Sequence, residues 1–150
     1  MVILGLLAGA NLLARNVAPR GMDARTFYVV PFSEMVMFPI LVFLAFRARK
    51  DPATHKRFIL IATVALLGVA FTRFHVAFLY RTIFPALCAS YCFLVLLAVY
   101  DLWSMRKLHR ATWIGSVLTI GVGFLRFPFA HTTIWQSFAA WVQTHAHWLT

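Results

Sequence analysis

A bundle of helices threaded through a membrane is the fold class this sequence predicts: all-α and polytopic, with about five membrane helices, the first one short, and a C-terminal interfacial helix. Three observations predict it. Hydrophobic residues make up 62% of the 150-residue chain and charged residues 12%, where a soluble domain carries about 25% charged residues. The apolar residues gather into runs long enough to cross a hydrocarbon core of about 30 Å, and lipid offers the backbone no partner outside a helix. The basic residues lie in short segments between those runs, as they do in cytoplasmic loops of membrane proteins. At this length a single domain, 1–150, is expected. The formal net charge of +10 therefore reads as loop charge, and with no nucleic-acid motif present no nucleic-acid partner is expected.

The first element, within "MVILGLLAGANLLARN", lacks the positive n-region of a cleaved signal peptide. Its apolar part, Met1–Ala14, reaches about 21 Å at 1.5 Å per residue. It is read either as a helix tucked against its neighbours or as the tail of a longer span. Gly5 and Gly9 form a small-xxx-small pair suited to close helix packing. Four further segments are long enough to span: Tyr28–Phe46, Phe58–Tyr80, Thr82–Trp103 and Thr112–Ala130. Asp51 followed by Pro52 reads as an N-cap and first helical position. "YRT", at residues 80–82, is expected to be a tight turn on the opposite face. The tail, 132–149, has no Lys, Arg, Asp or Glu and sets Ile134, Trp135, Phe138, Trp141, Val142 and His145 at helical spacing. Its three tryptophans point to an interfacial helix, with a sixth, poorly hydrophobic span as the alternative.

Orientation follows from the cations. Arg47, Arg49, Lys50, Lys56, Arg57, Arg106, Lys107 and Arg110 lie on one face, and only Arg15, Arg20, Arg25 and Arg81 on the other. The first set places loops 47–57 and 104–110 in the cytoplasm.

Two phrases nearly repeat: "GVAFTRF" at Gly68–Phe74 and "GVGFLRF" at Gly121–Phe127. Arg57 precedes Arg73 by sixteen residues, and Arg110 precedes Arg126 by the same number. This predicts a duplicated helical hairpin, about 28–80 and 82–130, with both copies running the same way. Gly68 and Gly121 would let backbones approach closely. Depth counting at 1.5 Å per residue puts Glu34 near the height of Arg73 and Arg126, with His75 and His131 slightly further out. Charged groups inside spans turn inward and pair. One arginine is expected to pair with Glu34, and the other to face water, a headgroup or a bound anion. Asp101, near the C-terminal end of its helix where the macrodipole disfavours an anion, needs a partner, with His109, Arg106 and Arg110 as candidates. An Asp101–His109 contact would fix the imidazole tautomer. Cys88 and Cys92, four residues apart, read as packing residues, and no spacing suggests a metal site.

The stretches "DPATHKRFILIATVALLG", "YDLWSMRKLHRATWIGSVL" and "TTIWQSFAAW" resemble a group of uncharacterised multi-pass proteins of bacterial inner membranes. The resemblance covers about Tyr28 to Trp141 and rests on His55-Lys56-Arg57, Tyr100-Asp101 and His109. It implies the architecture and an inner-membrane location, with further helices upstream in its members, but no reaction. A looser resemblance is to four-histidine bundles that hold b-type haem, which would cast His55 with His109, and His75 with His131, as axial pairs. The inner pair departs from that pattern by lying in or beside loops.

Nothing resembles a nucleophile–base pair, a P-loop or a metalloprotease motif. The leading reading is a non-catalytic accessory or assembly subunit of a membrane complex, without cofactor, whose partners are the bilayer and another membrane protein or a second copy. The alternatives are a redox protein using haem b or quinone through His55 and His109, and a carrier for a small anion using Arg73 and Arg126.

Overall fold

A helix satisfies its own backbone, so long apolar runs with few charges fold as helices. The computed structural model describes residues 2–18, 22–72 and 83–146. Among them are six α-helices and no strand: α1 Val2–Ala14, α2 Ala24–Arg47, α3 Pro52–Thr72, α4 Ile83–Met105, α5 Arg110–Ala130 and α6 Thr133–His145. Among the described residues, three stretches are long and apolar enough to cross a membrane: Ala24–Arg47, Leu87–Met105 and Arg110–Ala130. The apolar α1 has 13 residues, fewer than a crossing needs. Described α3 stops at Thr72 and is not among the three candidates. The remainder of the expected span Phe58–Tyr80, and the expected turn at 80–82, lie outside the described residues.

The chain divides into two compact units, one formed by Met1–Met35 with Val122–Thr150 and the other by Val36–Gly121.

In the second unit α3 packs along α4. Arg57 near the start of α3 meets Asp101 near the end of α4, and Phe71 near the end of α3 stacks on Phe93, so the two helices are antiparallel. Leu41, Ile61 and Leu94 form the buried centre. In lipid the hydrophobic effect does not drive helices together, so fit and polar contacts must. Gly115 provides part of that fit: a Cβ there would lie 2.6 Å from Ile61 Cδ1. Gly121 does not play this role, contrary to the sequence expectation. Among the described residues, a Cβ added to it would meet nothing within 4 Å, so no described backbone requires a glycine there.

Asp51 caps α3 as the Asp-Pro pair predicts. Its Oδ1 accepts the amides of Ala53 and Thr54 at 3.1 and 3.4 Å, and its Oδ2 the Thr54 hydroxyl at 2.5 Å. The Thr54 hydroxyl bond, ahead of the amides and nearby His109, holds this exposed carboxyl below its ordinary range. A lowered folded-state pKa gives stability that is present above the ordinary carboxylate pKa of about 3.9 and lost as pH falls through the lowered value. We therefore expect Asp51→Ala to lower the melting temperature in detergent slightly at neutral pH, and the difference from the parent to vanish in strong acid. Asp51→Ser, which keeps a cap, should melt close to the parent.

In the first unit α1 runs antiparallel to the start of α2. A Cβ on Gly9 would sit 3.2 Å from the Tyr28 ring and 3.6 Å from Pro31, and one on Gly5 would strike the Met35 sulfur. Helix α6 packs on α1 and is capped by Thr132, whose hydroxyl accepts the Trp135 amide at 3.3 Å. Trp135 is the anchor. Its ring contacts Tyr28, Phe32, Phe129 and Phe138, and its indole N–H donates to the Arg25 carbonyl at 3.0 Å.

The expected apolar face of α6 is only half used. Trp135 and Ala139 are buried, whereas Ile134, Phe138 and Trp141 are exposed. The cause is polar. Gln136 donates to the Ala130 carbonyl and to Thr26, and Gln143 bridges the Leu13 carbonyl and the Arg25 guanidinium. These amides rotate the helix so that an outer apolar stripe stays uncovered.

Candidate functional site

Two charged constellations emerge, one in each unit. In the second unit, Asp101 is fully buried. Its Oδ1 accepts two hydrogen bonds from Arg57, from Nε at 3.0 Å and from Nη2 at 2.7 Å. Its Oδ2 accepts the Thr112 hydroxyl at 2.5 Å and the His109 amide at 3.3 Å. Arg57 in turn donates from Nη1 to the Ala53 carbonyl at 2.9 Å. Both carboxylate oxygens are thus occupied by donors from α3, from α5 and from the turn before α5. A buried anion needs this degree of pairing to be tolerated.

This corrects the expected partner of Asp101. None of the His109, Arg106 or Arg110 side chains binds the carboxylate; Arg106 and Arg110 are exposed. His109 reaches it only through its backbone amide, because its imidazole is used elsewhere. His109 Nδ1 accepts the Ala111 amide at 3.2 Å, which caps the first turn of α5. An acceptor Nδ1 leaves the proton of a neutral ring on Nε2.

His55 makes a different contact. Its Nδ1 lies 2.8 Å from the Ala45 carbonyl, which ties the start of α3 to the end of α2. A carbonyl can only accept, so Nδ1 donates and Nε2 carries the lone pair. The two histidines therefore present opposite tautomers.

In the first unit, Glu34 on α2 and Arg126 on α5 are each only 5% exposed. Arg126 Nη1 stands 3.6 Å from Glu34 Oε1, an ion-pair distance rather than a hydrogen bond. Arg126 also lies over the Phe127 ring, 5.5 Å from its centroid. Among the described residues, Arg126 Nε and Nη2 and Glu34 Oε2 are buried without a hydrogen-bond partner. The structure thus brings Glu34 and Arg126 together. Arg73, the third member of the expected layer, and His75 lie outside the described residues, and His131 is exposed.

Among the described residues no group of three or more His, Cys, Asp or Glu is placed to hold a metal ion. Cys88 and Cys92 are free and exposed, rather than packing residues as expected. The fourth carboxylate, Asp23, accepts the Arg25 amide at 3.2 Å at the start of α2.

Arg57 as the partner of Asp101 is what sequence reasoning missed. Its signal was present: in a helical hairpin the start of α3 and the end of α4 share one end, so a cation early in α3 faces an anion late in α4. No protein-family model, curated protein or solved structure matches the chain.

Proposed function

We propose that this chain is a non-catalytic subunit of a larger membrane assembly, residing in a bacterial inner membrane with loops 47–57 and 104–110 in the cytoplasm. One observation carries the reading. The chain has four carboxylates, and each serves the structure, Asp23 and Asp51 at helix starts, Glu34 beside Arg126 and Asp101 around Arg57. General acid–base chemistry needs a carboxylate or imidazole free to exchange a proton with substrate, and each of these carboxylates stands at a helix start or beside a cation instead. The surface supports the assembly part. Helix α4 turns Val95, Leu96, Val99 and Trp103 outward, a face for lipid or for a partner helix. We include in the proposal the fuller architecture, about five membrane helices and a hairpin duplicated at about 28–80 and 82–130.

The test pairs two measurements on the intact protein extracted in mild detergent. We expect a native mass above that of one chain and an absorption spectrum without a Soret band, oxidised or reduced. A Soret band that shifts on reduction, lost in His55→Ala, would replace the proposal by the haem reading. A second reading, a carrier for a small anion, is favoured by the Nε and Nη2 edge of Arg126, which has no hydrogen-bond partner among the described residues and is the geometry that grips carboxylates and phosphates side-on. Uptake of a labelled small anion into proteoliposomes, abolished by Arg126→Gln, would put that reading first.

A further inference from the structure

The second unit gathers four helix termini at one end. His55 joins α3 to α2, Arg57 joins α3 to α4, and Thr112 with the His109 amide joins α5 to α4. At this end Arg47, Arg49 and Lys50 are set around the α2–α3 turn, and Lys56 on α3, with Arg49, Lys50 and Lys56 exposed. Arg106, Lys107 and Arg110 are exposed around the α4–α5 turn. The carboxylates do not offset them: Asp101 is buried and spent on Arg57, which leaves Asp51 as the exposed acid of the two turns.

Large apolar rings stand immediately beside these cations. Trp103, two residues before the end of α4, is 87% exposed, and Trp113, one helical turn into α5 from Arg110, is 61% exposed. Past the end of α2, the guanidinium of Arg49 in the turn sits 4.8 Å from the centroid of the exposed Phe46 ring. Three of the four helix termini therefore show the same couple, an uncovered aromatic ring next to a cation at the turn.

We propose that this end is a binding site for anionic phospholipid headgroups, with the phosphates on the Arg106–Lys107–Arg110 turn and the indoles of Trp103 and Trp113 at the acyl boundary. Charge alone would suit an acidic protein or a nucleic acid equally well. The rings decide the class. Tryptophan is amphipathic and settles at headgroup depth, and one helical turn, about 5.4 Å, separates the Trp113 level from Arg110. A soluble polyanion has no acyl layer to cover these two rings. Juxtamembrane basic clusters are drawn to anionic lipid by the same field.

The inference rests on the membrane placement proposed above and not on the assembly reading, and incorporation into neutral nanodiscs tests that placement first. The full chain is then placed in nanodiscs of phosphatidylcholine with a minor share of spin-labelled phosphatidylglycerol or spin-labelled phosphatidylcholine, and the immobilised lipid fraction is compared. We expect phosphatidylglycerol to be preferred several-fold. The preference should fall to near equality of the two lipids at low salt in the variant carrying Arg106→Gln, Lys107→Gln and Arg110→Gln, since each removed cation weakens the attraction to anionic lipid. Should that variant fail to fold, the parent protein in about 0.5 M NaCl supplies the same readout, since screening must erase most of the preference. Trp103→Ala with Trp113→Ala should weaken it while leaving the charge unchanged. Equal immobilisation of the two lipids overturns the proposal. So does displacement of phosphatidylglycerol by millimolar inorganic phosphate, which would mark a free-phosphate site, or by an oligonucleotide or an acidic peptide.

Discussion

Glu34→Ala is expected to destabilise the protein by about 3–5 kcal/mol, because it strands a buried charge. Arg126 is 5% exposed, and its Nε and Nη2 have no hydrogen-bond partner among the described residues. A guanidinium cannot shed its proton, so once Glu34 is gone the cation must drag in water or distort the helix. Arg126→Met should cost less, since a carboxylate left alone can escape by taking up a proton. Replacing both, Glu34→Leu with Arg126→Met, should recover most of the loss or exceed the parent, because apolar replacement of a whole buried pair is neutral to stabilising by about 1–4 kcal/mol. Thermal or denaturant unfolding in one detergent measures all four proteins. Single variants within about 0.5 kcal/mol of the parent, the scatter of ordinary surface substitutions, would mean that the two groups are solvated rather than paired.

Asp101→Ala carries the second large effect, again about 3–5 kcal/mol by the same reasoning. The loss is wider here, because three donors are orphaned together: the Arg57 guanidinium, the Thr112 hydroxyl and the His109 amide. Arg57→Met should cost less, as its side chain is 12% exposed and the carboxylate keeps two donors. Asp101→Asn should fall between, retaining an acceptor for Thr112 and His109 while losing the charge. The Arg57 and Asp101 substitutions should be strongly non-additive, with a coupling of about 1–3 kcal/mol. Additive losses would show that the two side chains act independently, and that the network does not hold the helix ends together.

The all-helical class and the presence of membrane-length apolar helices were legible because run length and composition speak directly to them. The expected span Thr112–Ala130 became Arg110–Ala130, and Tyr28–Phe46 became Ala24–Arg47; the ends moved most at the start of α2, where apolarity marks the lipid-facing run and not the helix start. Asp51 and Pro52 placed the start of α3 to the residue, since a cap and a missing amide are local chemistry. The proximity of Glu34 and Arg126 was legible through rise per residue, which turns sequence distance into depth. The partner of Asp101 was not. Arg57 is 44 residues away, and three cationic candidates lay within about ten residues of the aspartate. Only the pairing of helices decides between near and far in such a case, and periodicity does not carry it. The orientation of α6 was half legible. Its spacing marked Trp135 correctly as apolar-facing, but the rotation is set by Gln136 and Gln143, whose backbone acceptors lie at the ends of other helices.

The contacts of α6 also bear on the order in which the chain can fold as it is made. The contact from Gln143 to Leu13 spans 130 residues, that from Arg25 to Gln143 118, and that from Trp135 to Arg25 110. The unit they hold together is assembled from both termini, whereas Val36–Gly121 is one continuous stretch. The continuous unit can therefore close while the ribosome is still elongating, as segments do when their contacts are near in sequence. Tyr28 and Phe32 must wait, uncovered by Trp135, until α6 emerges. A nascent chain interrupted before α6 thus carries a completed central unit with an open aromatic seat near its N-terminus, the kind of exposed surface that membrane proteases and chaperones inspect.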